Sequence, residues 1–350
     1  MAAPRAVILG LEGPRLKPEE RRFFKDADPL GFILFKRNCE NSAQLKELVE
    51  ELRAAVGRTD APVLIDQEGG RVARLGPPHW RQPPAAMTFA RLAERDLDLG
   101  GEAARLNARL MAADLAEACI TVDCAPVLDI PVPGAHDVIG DRAHGFVPGL
   151  VATLGRAVCE GLLEGGVLPV LKHIPGHGRA TADTHFALPV VTASEAELQR
   201  ADFAPFRLLN DMPWAMTGHV VYAAIDDSAP ATTSRGVIER AIRGHIGFQG
   251  LLVSDDVSMN ALTGTVAERA AAALDAGCDA VLHCNGKMDE MRAVAGATPP
   301  LGEAGMARWE RGEMLRHPPA ELDRYRALER LAELLGTPGK SLADQPLRYA

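Results

Sequence analysis

Short apolar runs alternate with longer stretches of helical periodicity along the whole chain. The runs at 6–9, 31–35, 62–65, 121–127, 168–171, 214–217, 251–254 and 280–283 are mostly rich in Val, Ile and Leu. Such near-continuous runs suit strands covered on both faces, as in a parallel sheet. Between them, Leu45, Leu48, Val49, Leu52 and Val56 follow the i, i+3, i+4, i+7 spacing of a helix buried on one side, with Ser42 placed to cap it. Ser194 and Glu197 form a capping-box pattern ahead of Leu198. Residues 101–118, 149–164, 235–246 and 265–276 also read as helices, with Gly165, Gly166 and Gly277 as C-terminal stops. Eight strands alternating with helices predict an α/β fold, a closed (β/α)8 TIM-type barrel. An open doubly wound sheet is the alternative. A bare barrel takes roughly 250 residues. The remainder of the 350-residue chain fits long loops and a C-terminal helical extension that includes 319–335. One catalytic domain over 1–340, with a loosely held tail at 341–350, is the simplest organisation.

Composition narrows the class. The chain is 47% hydrophobic, enough for a large core, and carries a formal net charge of -9 with no basic block. That balance argues against nucleic-acid binding, which needs clustered Lys and Arg. No run approaches the roughly eighteen apolar residues of a membrane span. The start, MAAPRAVILGLEGP, lacks the long apolar stretch and cleavage region of a signal peptide. Cys39, Cys119, Cys124, Cys159, Cys278 and Cys284 make no CxxC pair, as expected of reduced thiols in a cytoplasmic protein. A cytoplasmic monomer acting on a small molecule, without nucleic-acid or membrane partners, is the expectation.

In a barrel, chemistry sits where strands end and βα loops begin. Polar residues collect there: Glu12, Lys36 and Arg37, Asp66, Asp129, Asp141 and Arg142, Lys172 and His173, His219, Asp255 and Asp256, His283 and Asn285. A single Asp at a strand end more often caps a helix or anchors a loop than catalyses. Charges at many strand ends would instead converge on one mouth, where their desolvation is costly unless it serves binding or catalysis. Periodicity leaves open which of Asp255 and Asp256 faces that mouth.

The most unusual stretch runs from Lys172-His173-Ile174-Pro175-Gly176-His177-Gly178 to Asp183-Thr184-His185. One reading is a metal site through His173 and His177, but such pairs share a face only on a helix, which Pro-Gly breaks. A second is a loop presenting an acid/base histidine. Asp183 and His185 flank one residue, so an extended segment points both the same way. A carboxylate beside an imidazole fixes its tautomer and raises its proton affinity. A third is a purely structural polar loop.

The motifs IDQEGGRVARL (65–75), DCAPVLDI (123–130), IGDRAHG (139–145), KHIPGHGRATADTH (172–185) and LLVSDDVSM (251–259) occur in this order over some two hundred residues. On them the chain resembles family-3 glycoside hydrolases, and within that family the NagZ-type β-N-acetylglucosaminidases (β-N-acetylhexosaminidases) of peptidoglycan recycling. The resemblance implies that Asp255 is the nucleophile and that His185, paired with Asp183, is the acid/base. It implies sugar-binding roles for Asp66, Arg74, Arg142, Lys172 and His173, a cytoplasmic single-domain barrel, and no metal or other cofactor. It departs from the family pattern at Cys124, at Ala143-His144 and at Ile174, positions that shape the pocket without removing a reacting group.

The expected reaction is retaining hydrolysis of terminal β-linked N-acetylglucosamine from small muropeptide-type saccharides, GlcNAc-1,6-anhydro-MurNAc and its peptides. An N-acetylglucosaminide phosphorylase, a β-glucosidase or xylosidase on the same fold, and a catalytically silent sugar-binding module are the alternatives.

Overall fold

The computed structural model describes residues 3–180 and 188–337. Its centre is a closed barrel of eight parallel strands: β1 (Arg5–Leu9), β2 (Pro29–Leu34), β3 (Val63–Ile65), β4 (Val122–Asp123), β5 (Leu168–Ile174), β6 (Trp214–Thr217), β7 (Leu251–Asp256) and β8 (Ala280–His283). Each strand pairs with its sequence neighbours, and β1 closes the ring on β8 with Leu9 opposite His283. The predicted barrel is therefore the observed one, and the open sheet is excluded.

Both faces of the strands are buried, which explains the continuous apolar runs. Ala6, Ile8, Ile33, Leu64, Val122, Val170, Met216 and Val253 belong to a core inside the barrel. The alternate residues, such as Val7, Leu9, Phe32, Ile65, Leu171 and Leu252, pack in the core between strands and helices. Each fully buried Leu, Ile or Val contributes about 1.5–3 kcal/mol relative to an exposed one.

Several boundaries differ from the sequence reading. The helix at Ser42–Val56 is capped by Asn41, whose side chain accepts from the Gln44 amide, and not by Ser42. β4 stops at Asp123 because Pro126 lacks the amide a ladder needs, leaving Val127 a single bridge to Lys172. β5 runs on to Ile174, so Lys172 and His173 are strand residues; Lys172 pairs with Met216 and Ile174 with Thr217, and the register shifts at His173. Residues Val237–His245 wind as a π-helix. The capping box at Ser194–Glu197 forms as expected. In the C-terminal extension, the helix Arg324–Leu335 begins at the Asp323 cap and packs on the helix Leu97–Glu117. The tail assigned to 341–350 lies outside the described residues. All six cysteines are free thiols, four of them buried. Among the described residues, no helix is long and apolar enough to cross a membrane.

Candidate active site

The C-terminal ends of the strands open into a cavity of about 320 Å³, lined by Asp66, Arg74, Arg142, Lys172, His173 and Asp255 among others. These six are all the sugar-binding residues and the nucleophile expected from sequence. Asp183 and His185 lie outside the described residues.

One wall of the cavity is an ion cluster. Lys172, 2% exposed at its side chain, places Nζ 2.8 Å from Asp66 Oδ1 and 2.6 Å from Glu68 Oε1. Arg74 reaches Asp66 Oδ2 at 2.9 Å. Arg142 grips Glu68 with two bonds, Nε to Oε2 at 2.8 Å and Nη2 to Oε1 at 2.9 Å. Arg142 sits on the short 3₁₀ turn Gly140–Arg142, far along the chain from Glu68. Bidentate pairing of this kind fixes orientation as well as charge. Gln67 anchors the carrier strand: its amide donates to Asp123 Oδ1, and its side-chain oxygen accepts from the amides of Arg74 and Leu75. Burial opposes ionisation of Asp66 and Glu68, but Lys172, Arg74 and Arg142 outweigh it. Asp66 is held well below the usual carboxylate range and Glu68 falls from 4.5 to about 2.

Glu68 was not among the expected site residues. Its signal was present, since it stands two residues from Asp66 and an extended segment puts both on one side. Glu68→Gln should leave the buried Lys172 and Arg142 short of a counter-charge, costing about 3–5 kcal/mol. Acid should destabilise the protein through the same groups. A carboxylate with a depressed folded pKa gives stability that is complete above its ordinary pKa and is lost as pH falls through the depressed one. For Glu68 that window runs from 4.5 to about 2. His177, lowered by burial and by His173 from 6.5 to about 4, adds an earlier loss between those values, because the unfolded chain takes up its proton first. The thermal midpoint should therefore fall below pH 6.5 and more steeply below 4.5. The steeper limb should flatten in Glu68→Gln. Identical pH profiles for the two proteins would contradict the assignment.

The opposite wall carries histidines. Asp129, fully buried, binds His173 Nδ1 through Oδ2 at 2.6 Å and takes the amides of His173 and His177 on Oδ1 at 3.1 and 2.6 Å. Burial would raise this carboxyl, but the two histidines and their amides lower it on balance. One buried carboxylate thus sets the His173 tautomer and folds the turn beyond it. That turn needs glycine: Gly176 has φ +137°, and a Cβ on Gly178 would lie 1.9 Å from the Ile130 carbonyl oxygen. Among the described residues, no group of three or more His, Cys, Asp or Glu is arranged to hold a metal ion.

The floor is the end of β7. Asp256 is occupied: Oδ1 accepts from the amides of Ser258 and Cys284, and Oδ2 from the Ser258 hydroxyl. Asp255 lines the cavity and, among the described residues, accepts only the Asp256 amide, at 2.8 Å on Oδ1. Burial raises the Asp255 carboxyl, but His219, His173, the Asp256 amide and His177 together hold it below the usual carboxylate range. It is therefore ionised near neutral pH. Of the two adjacent aspartates, Asp256 is committed to Ser258 and Cys284, while Asp255 has, among the described residues, one amide bond and lines the cavity.

Comparison with known proteins places the chain in a family. Residues 5–308 match the family model described as the glycosyl hydrolase family 3 N terminal domain. A β-hexosaminidase of Bordetella avium is 37% identical over 305 residues, covering 85% of this chain and 86% of its own. One from Thioalkalivibrio sulfidiphilus is 41% identical over 284 residues, covering 80% of each. Among solved structures, NagZ from Neisseria gonorrhoeae in complex with N-trifluoroacetyl-D-glucosamine superposes with a TM-score of 0.85 at 32% identity, covering 96% of this chain and 98% of that one. The same Neisseria protein has also been solved in complex with a zinc ion. This chain belongs to glycosyl hydrolase family 3.

Proposed function

We propose that the chain is a retaining β-N-acetylhexosaminidase that removes terminal β-linked N-acetylglucosamine from small saccharides. The observation that carries this reading is the ionised, uncommitted Asp255 carboxylate facing a cluster of paired cations and carboxylates across one cavity. Asp66, Arg74, Arg142, Lys172 and His173 hold the sugar hydroxyls, and fixed positioning of this kind lowers the barrier. Asp255 attacks the anomeric carbon as the glycosidic C–O bond breaks, forming a glycosyl-enzyme. His185, oriented by Asp183, gives its proton to the departing oxygen. It then takes a proton from the water that attacks the same carbon and releases Asp255. Two displacements at one carbon keep the β configuration. A histidine suits both steps because its ordinary pKa of about 6.5 lies near working pH.

Muropeptide-type fragments of peptidoglycan recycling, GlcNAc-1,6-anhydro-MurNAc and its peptides, are the substrates this reading favours, in a cytoplasmic enzyme working as a monomer. The test is a rate comparison across aryl β-N-acetylglucosaminide, β-glucoside and β-xyloside. The acetamido sugar should react fastest, giving free N-acetylglucosamine even in phosphate buffer. A preference for glucoside or xyloside, or a sugar phosphate as product, would replace the reading.

Activity should also survive exhaustive EDTA treatment, because the histidines are assigned to sugar binding and proton transfer. Loss of activity restored by added zinc would reverse that assignment.

A further inference from the structure

His219, Thr217 and Thr232 are each fully buried, yet all three carry polar groups that apolar residues of similar size would spare the barrel. Their hydrogen bonds form one chain with both ends on the same stretch of backbone. The Asp255 amide donates to Thr217 Oγ1 at 3.3 Å. The Thr217 and Thr232 hydroxyls meet at 2.8 Å. Thr232 Oγ1 meets His219 Nδ1 at 2.8 Å, and His219 Nε2 lies 3.0 Å from the Asp256 carbonyl oxygen. A carbonyl only accepts, so Nε2 carries a hydrogen. One set of directions runs the length of the chain: Asp255 amide to Thr217, Thr217 to Thr232, Thr232 to Nδ1, and Nε2–H to Asp256, with the Gly218 carbonyl oxygen, 3.3 Å from Thr232 Oγ1, as a second acceptor for the Thr232 hydroxyl.

The loop of bonds thus starts on the N–H of Asp255 and ends on the carbonyl of Asp256. It brackets the peptide that carries the Asp255 carboxylate. The turn between Thr217 and His219 also lies close to the other histidines: a Cβ on Gly218 would sit 3.2 Å from His173 Cβ. A side chain there would push His219 and His173 apart.

We infer that Thr217, Thr232 and His219 form a positioning relay that fixes the Asp255–Asp256 backbone and so aims the Asp255 carboxylate at the anomeric carbon. This rests on the reading of Asp255 as nucleophile. The relay touches no substrate. Its contribution is angular, and a displacement of about 1 Å at a reacting atom costs on the order of 10²-fold in rate.

The test uses the full-length enzyme and an aryl β-N-acetylglucosaminide with a leaving group that needs no proton. Rates are expressed per active site counted by covalent trapping, so that a loss of folded protein does not register. His219→Ala and Thr232→Val should each lower kcat by about 10–100-fold, with KM changed by no more than about two-fold. Thr232→Ser, which restores the hydroxyl, should recover most of the loss, and so should His219→Gln, which can still donate to the Asp256 carbonyl. The double variant should be little worse than either single one, because the residues act as a unit. If Thr232→Val does not fold, Thr217→Val breaks the chain at its other end and serves the same comparison. A kcat per site within about three-fold of the parent in these variants, or a Ser replacement no better than Val, would overturn the relay. Mapping the trapped sugar in the parent enzyme separates the two ideas. A label away from Asp255 removes the nucleophile reading itself, whereas a label on Asp255 with unaffected relay variants removes the relay alone.

Discussion

Asp255→Ala is expected to lower kcat/KM on the order of 10⁴-fold or more, as removal of a nucleophile does. Binding of N-acetylglucosamine should change little, because the ion cluster of Asp66, Glu68, Lys172, Arg74 and Arg142 stands on other segments and stays intact. The adjacent Asp256→Ala is the control. Its carboxylate holds Ser258 and Cys284, so its loss should cost stability, about 1–3 kcal/mol for the unsatisfied donors, while the covalent step survives. Steady-state kinetics and thermal melts of both variants separate the outcomes. Comparable rate losses in the two, at comparable folded fractions, would leave no basis for choosing Asp255. The pH profile gives a second reading. Asp255 must be ionised to attack, and its carboxyl is held below the usual range. The acid limb of kcat/KM should therefore lie below the ordinary carboxylate pKa of about 4.

His185→Ala is expected to cost about 10²–10⁴-fold on a natural disaccharide, the usual worth of general acid catalysis. The cost should shrink in the first step for an aryl glycoside whose leaving group departs without a proton. It should remain in the second step, where water needs a base. Asp183→Ala should show a smaller defect in the same direction, since a neighbouring carboxylate only tunes the imidazole. Pre-steady-state rates across aryl glycosides of graded leaving-group pKa measure this directly. If His185→Ala slowed glycosylation equally for all of them, the residue would be structural and another donor would have to supply the proton.

The barrel was legible because the strands are buried on both faces. Val7 and Leu9 meet helices while Ala6 and Ile8 fill the interior, so a run such as AVIL carries no alternation and reads as parallel sheet. The strand ends were harder to read. Pro126 cuts β4 short, whereas β5 carries Lys172 and His173 within the strand because β6 still pairs with Lys172 and Ile174 across a register shift at His173. Polarity placed those two residues outside a strand that in fact continues to Ile174.

The site was legible to the extent that motifs carried it. Asp66, Arg74, Arg142, Lys172, His173 and Asp255 come from four separate segments and line one cavity. Sequence reasoning placed Asp129 and His219 at strand ends without their partners and passed over Glu68, so it did not read the residues that act through others. Glu68 bridges Lys172 and Arg142, Asp129 clamps His173 and His177, and His219 supports the Asp255–Asp256 backbone. Each lies at or just beyond a strand end, where a polar residue alone does not reveal its partner. Their partners lie on other strands, and only barrel closure brings them together.

The most direct measurement is covalent trapping. A fluorinated N-acetylglucosaminide with a good leaving group, incubated with the enzyme, should slow the second displacement enough for the glycosyl-enzyme to accumulate. Proteolysis and mass mapping should then place one sugar on the peptide that contains Ser254-Asp255-Asp256, with fragmentation assigning it to Asp255. A label on Asp256 would overturn the choice of nucleophile, and turnover with no label on any residue would contradict the double displacement and point instead to a mechanism assisted by the substrate's own acetamide.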